Sequence, residues 1–256
     1  MIRLVDALQL PPETRVDKRV TKELLLERGV RTTTDRRRIR EDLDKLVWVA
    51  ALKPDLIGIP ANRGDGRGYG EIAVLEISAR PDAKLAPLAT LVHRAVPYPV
   101  LLVCARGEAF GLSLAHKRSA LNEPGRVVLD ADLRTVELSS GALVEDDEPR
   151  LVEALALARQ PLDSLDALYD GWMRVVDALA VARRTGRFFI PRSPEQASRQ
   201  AEAMAACDEL EKRLARRRRI ARREKQLARQ VALNLEIKLL ERRLAEASAS
   251  LSSPET

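Results

Sequence analysis

The chain has 256 residues, 44 Lys and Arg against 38 Asp and Glu, a net charge of +6 and 45% hydrophobic content, enough to bury a core. Aromatics are 3% of residues, which argues against single-strand binding by base stacking. The two cysteines and two histidines complete no zinc-ligand spacing, and neither a signal-like N-terminus nor an apolar run of transmembrane length is found, so the sequence reads as a cytoplasmic protein, one large domain or one domain with a helical appendage, without a metal or other cofactor.

Residues 1–145 read as a mixed α/β domain. A short helix is expected over Thr21–Glu27, after the Pro11-Pro12 turn. Thr34 or Asp35 is expected to cap an amphipathic helix through Ile39, Leu43, Leu46 and Val47. Asp55–Ile59 reads as a short strand and RGDGRGYG (63–70) as a loop or hairpin tip. Alternation over Glu71–Ser78 predicts a strand, Leu85–Ala95 a helix, and the apolar run Val100–Ala105 a buried central strand holding Cys104. Shorter strands follow at Ala109–Leu114, Val127–Leu129 and Val136–Leu138.

From the acidic EDDE (145–148) onward the sequence is helical. A connector (146–192) contains Leu151–Arg159 and the amphipathic Leu162–Arg184, and breaks at Phe188–Pro191. No Gly or Pro follows Pro194 until the tail, so one helix of roughly 80 Å is expected, forming a coiled-coil arm over 193–250 with 251–256 frayed. Leu233, Ile237, Leu240 and Leu244 recur at 4-3-4 spacing and are the expected helix-pairing residues. Their partner is either the Leu162–Arg184 helix, folded back at the Phe188–Pro191 break, or the arm of a second chain. The fold-back is favoured, because parallel self-pairing sets like charges side by side. The expected fold class is therefore α+β: an N-terminal sheet domain, then a helical region ending in a long arm.

The charge is concentrated in that arm. Lys212–Gln230 (KRLARRRRIARREKQLARQ) holds ten cations and one acid, Glu224, so the rest of the chain sums to −3. Acids at i±3 and i±4 within the run are nearly absent, which a solvated, salt-bridged face would supply. Such a cationic rod attracts polyanions through backbone phosphates rather than base edges. Arg216, Arg217, Arg218, Arg219, Arg222, Arg223 and Arg229 are the candidate nucleic-acid contacts. An acidic protein partner is the competing reading.

Catalytic patterns are incomplete. Asp55 and Glu76 echo the acid pair of a metal-dependent nuclease, but Ser78 stands where its lysine is expected. RGDGRGYG lacks the Lys-Ser or Lys-Thr of a P-loop, although Arg63 and Arg67 are within reach of a phosphate there. Ser113, His116 and Asp130 supply triad residue types without a nucleophile elbow. The clusters His116-Lys117-Arg118 and Lys18, Arg19, Lys22 read as solvated edges.

LQLPPETRVDKRVTKELLLE, LDKLVW, EIAVLEISAR, AVPYPVLLVCARGEAFGLSLAHK, LDSLDALYDGWMRVV and QLARQVALNLEIKLLERRL together, and in this order, resemble the bacterial domain of unknown function 4391 family. That family carries no established activity to transfer. The resemblance implies a companion of helicase and DNA-methyltransferase genes in phage-defence-like clusters. The Arg216–Arg219 block is more basic than the family pattern, so the charge reading stands on the residues themselves. Residues and resemblance together point to a non-catalytic accessory subunit that engages nucleic-acid backbone or docks onto a larger DNA-processing complex. A structural assembly module and a divergent nuclease are the alternatives.

Overall fold

The computed structural model describes residues 4–62, 69–119, 127–129, 133–139 and 147–252. In chain order the elements are α1 (Leu4–Ala7), β1 (Arg15–Arg19), α2 (Lys22–Arg28), α3 (Thr33–Glu41), β2 (Leu43–Leu52), α4 (Pro54–Ile57), β3 (Ile72–Ala79), α5 (Leu85–Ala95), β4 (Val100–Arg106) and β5 (Ala109–Leu114). They continue with β6 (Lys117–Ser119), β7 (Val127–Leu129), β8 (Arg134–Leu138), α6 (Asp147–Leu155), α7 (Leu165–Thr185), α8 (Pro194–Ala221) and α9 (Leu227–Ser252). The fold is α+β, and the chain divides into two compact units, residues 1–180 and 181–256.

In the first unit, six strands among the described residues form one mixed sheet in the order β1-β2-β3-β4-β5-β8. Only β3 and β4 run parallel, and α5 makes the crossover between them, since parallel neighbours cannot be joined by a hairpin. β6 and β7 pair separately. Ala73, Leu75, Ile77, Val100, Leu102 and Cys104 point from the central strands into one apolar cluster with α2, α3 and α5. Their alternates Ile72, Val74, Leu101 and Val103 are also buried, as expected of strands covered on both faces. Helix α7 reaches the sheet through Tyr169, whose hydroxyl donates to the Val100 carbonyl (2.7 Å) and accepts from the Ala115 amide (3.0 Å). Trp172 is fully buried and donates to the Leu155 carbonyl.

Two local readings are corrected here. Helix α3 ends at Glu41, so Leu43, Leu46 and Val47 lie in a strand and not in the helix of Ile39. Its cap is Thr32, in a reciprocal capping box with Asp35. A register shift between Leu43 and Lys45 inserts one residue into β2, so Leu43 and Leu46, three apart, reach the same cluster as Ile39. The bulge reproduces a helical spacing inside a strand. Asp55 likewise lies in a helical turn rather than a strand: Pro54 opens α4, and Gly58 closes it at φ 68° in the left-handed region.

The second unit contains a third correction. The expected single helix after Pro194 is two helices, α8 and α9, separated at residues 222–226. The chain turns without Gly or Pro because Glu224 accepts from the amides of Lys225 and Gln226, both at 2.9 Å, satisfying free donors at the start of α9. Those bonds also hold its carboxyl below the usual range. Folding back buries the apolar stripes of both helices, Leu214 and Ala221 on α8 and Leu233, Leu240 and Leu251 on α9, which an 80 Å rod would leave in water. The helices run antiparallel, as the ion pairs Arg217–Glu236 (3.0 Å) and Arg218–Glu241 (2.7 Å) and the contact of Cys207 with Ser248 show. The last turn of α7 joins them: Val181 packs with Cys207 and Leu251, and Arg184 pairs with Asp208 and Glu211 of α8.

Candidate nucleic-acid interface

The turn at 222–226 falls inside the basic run and sorts its cations. Arg217 and Arg218 face α9 and are engaged by Glu236 and Glu241. Their acids come from across the hairpin rather than from i±3 or i±4, so these two positions have tertiary partners that the sequence does not reveal. Lys212, Arg213, Arg216, Arg219, Arg222, Arg223 and Lys225 are exposed and have no acidic side chain paired with them among the described residues. Arg229, also exposed, feels the Glu224 carboxylate.

Lys212, Arg216, Arg219 and Arg223 follow one another at 4-3-4 spacing. At 100° per residue Lys212, Arg216 and Arg219 form a ridge about 10 Å long on the side of α8 opposite Cys207 and Leu214, and Arg223 follows it in the turn. Arg222, Lys225 and Arg229 widen it at the turn. The C-terminal end of α8 carries the negative pole of the helix dipole, which offsets part of the repulsion among these cations. On α9, Leu233 and Leu240 are buried, Ile237 is half-buried, and Leu244 packs against the Val181–Cys207–Leu251 cluster. Their main partner is α8, brought there by the turn at 222–226 and not by the Phe188–Pro191 break; of the expected Leu162–Arg184 partner, Val181 at the end of α7 meets the cluster that Leu244 joins.

The catalytic candidates are dispersed. Asp55 is on α4 and Glu76 is on β3, opposite Val47 and Val103. No group of three or more His, Cys, Asp or Glu among the described residues is arranged to hold a metal ion. Ser113 is fully buried, in contact with His93 Nε2 (3.1 Å) and Thr135 (2.8 Å). His116 belongs to another network, with Tyr69 (2.5 Å) and Asp170 (3.3 Å). Asp130, Arg63 and Arg67 lie outside the described residues; Asn62 and Tyr69, flanking the glycine-rich segment, form an antiparallel bridge.

Lys117 is not the solvated cation its neighbours suggest. It is 4% exposed, and its ammonium donates to the carbonyls of Val96 (2.6 Å) and Tyr98 (2.5 Å) where the chain leaves α5. Burial lowers its pKa to about 7. His93, buried and close to Lys117, is held well below its ordinary value by burial first and by that cation second. Lys22 is also engaged, donating to the Leu43 carbonyl at 2.5 Å. A groove of about 590 Å³ between α3, α5 and β8 has mixed charge, Arg38 and Arg94 beside Asp35, with Arg38 3.8 Å from that carboxylate.

The class defined by this arrangement is an α+β sheet unit joined to a helical hairpin whose outer edge is cationic. The chain belongs to the family described as "Domain of unknown function (DUF4391)", whose model matches residues 8–244. No curated protein and no solved structure matches it.

Proposed function

We propose that the protein is a non-catalytic, cytoplasmic accessory subunit whose α8–α9 hairpin, paired in coiled-coil fashion through Leu233, Ile237, Leu240 and Leu244, grips nucleic-acid backbone. The observation that carries the reading is the ridge Lys212, Arg216 and Arg219 on α8, continued by Arg223 in the turn, four exposed cations without acidic partners among the described residues. The charges on α8 rise 4.5–6 Å from one to the next, a spacing that lets neighbouring side chains meet successive phosphates. No aromatic side chain lies between Lys212 and Gln230, so contact is to phosphate and carries little sequence information. The neighbourhood that the family resemblance implies, helicase and methyltransferase genes of phage defence, supplies a DNA-processing complex in which such a subunit would work. The test is binding of short duplexes of unrelated sequence over a range of salt. Comparable affinities that fall steeply with salt are expected. Binding that ignores salt, or no binding at low salt, overturns the reading.

A second reading, docking onto an acidic protein face, rests on the same ridge. It separates from the first because a folded acidic partner competes with DNA only where it covers those four side chains.

A further inference from the structure

Helix α9 carries a second apolar stripe that the fold leaves in water. Leu227, Val231, Leu235 and Leu239 are 76%, 52%, 63% and 52% exposed. Each step of four residues drifts 40°, so the four occupy a sector about 120° wide and 18 Å long, on the side of α9 away from Leu233 and Leu240. Ala228 lies in the same sector and Ala232 just beyond it, and Lys238 falls within it, between the directions of Leu227 and Val231. Monomeric proteins seldom expose aligned large aliphatic residues of this kind without a partner for them.

We infer that this stripe is the contact through which two copies of the chain pair, α9 against α9 in antiparallel orientation. Three observations select a second copy as the occupant. The 4-4-4 spacing is the same read in either direction, so a twofold axis sets Leu227 against Leu239 and Val231 against Leu235 of the other copy, the self-complementarity an isologous dimer requires. The sector is nearly free of charge, Lys238 excepted, so an acidic partner finds its cations on α8 and not here. Helix α9 contains no aromatic residue, and the Trp or Phe anchors common in helices lying on a membrane surface are missing.

Charge does not oppose this geometry. The ridge of each hairpin is on the outer side of α8, so the two ridges are separated by three helix spacings of 8–10 Å, about 27 Å, more than three Debye lengths at physiological ionic strength. The stripe and its alanine neighbours offer roughly 500 Å² per copy, which puts the pair near 1,000 Å², at the lower bound for a specific interface. The dimer is therefore reversible and concentration-dependent.

The experiment is sedimentation of the full chain from low to high micromolar concentration, beside Leu235→Asp and Leu235→Met. Wild type and Leu235→Met should pass from monomer to dimer, and Leu235→Asp should dissociate at least ~100-fold more readily, a hot-spot loss at the centre of the contact. Helix content should be the same in all three, since Leu235 faces solvent in the monomer. A Val231→Cys, Leu235→Cys double variant should form interchain disulfides on oxidation, and Cys104 and Cys207, both buried, add little background. A monomer at every concentration, or a dimer that Leu235→Asp leaves intact, overturns the inference. So does a monomer that co-sediments with phosphatidylserine-containing vesicles and loses that in Leu235→Asp, which would assign the stripe to lipid.

Discussion

Replacing Lys212, Arg216, Arg219 and Arg223 together with Gln removes the ridge and little else. All four are exposed, and Gln has nearly the helix propensity of Arg and Lys, so the hairpin should keep its fold. Each phosphate contact adds about 0.9 to the slope of log affinity against log salt on duplex DNA, so four contacts contribute ~3.6. A fourfold rise in salt then weakens the ridge's share of wild-type binding about 150-fold, and the variant should lose that share of the slope. The control is Arg217→Gln with Arg218→Gln, which removes as many charges per position but takes them from ion pairs with Glu236 and Glu241. Those pairs are half-exposed and contribute about 0–1 kcal/mol each, so the control should melt slightly lower and keep a slope within ~1 of wild type. Fluorescence anisotropy with a labelled duplex at four salt concentrations measures both slopes. If the two variants lose slope in proportion to the charges removed, wherever those charges sit, the hairpin does not sort its cations and the ridge has no special role.

Three further outcomes are expected besides the dimer. Lys117 has a folded pKa of about 7 against an ordinary value of 10.5, so the unfolded chain binds more protons between these values and stability rises with pH across that window; chemical denaturation at pH 7, 8 and 9 should show the rise, and Lys117→Met should flatten it, whereas an unchanged slope in Lys117→Met would refute the assignment. Leu240→Asp puts a carboxylate at a position only 6% exposed, in a hairpin with a small apolar interior, and should cost more than ~3 kcal/mol and melt α8 and α9 as judged by circular dichroism, whereas Leu235→Asp should leave both helices folded; an intact hairpin would show that Leu240 is not a pairing residue. Purified protein with Mg²⁺ or Mn²⁺ should not cut DNA, and Asp55→Ala and Glu76→Ala should leave a cellular function assay unchanged; cleavage lost in either variant would restore the nuclease reading.

The sequence by itself determined the features that depend on short-range periodicity and composition. Alternation marked β3, the unbroken apolar run marked β4, and Trp172, Val175, Val176 and Leu179 at helical spacing marked α7, because burial on one or both faces of an element leaves a period that no other conformation shares. The density of positive charge between residues 212 and 230 was equally plain. What the tertiary structure alone decided was whatever depends on residues distant in the chain. A bulge opposite Ser78 and Ala79 made Leu43 and Leu46 of a strand look helical. Two carbonyls at the end of α5 drew Lys117 inside, although its neighbours His116 and Arg118 suggested a solvated edge. The turn at Glu224 carries neither Gly nor Pro, and its stability comes from one carboxylate over two amides and from two stripes that bury each other. That turn decides which arginines meet Glu236 and Glu241 and which remain exposed, and it leaves Leu227, Val231, Leu235 and Leu239 on the outside of α9. A one-dimensional spacing records that two stripes exist on one helix; only the position of α8 tells which of them is already covered.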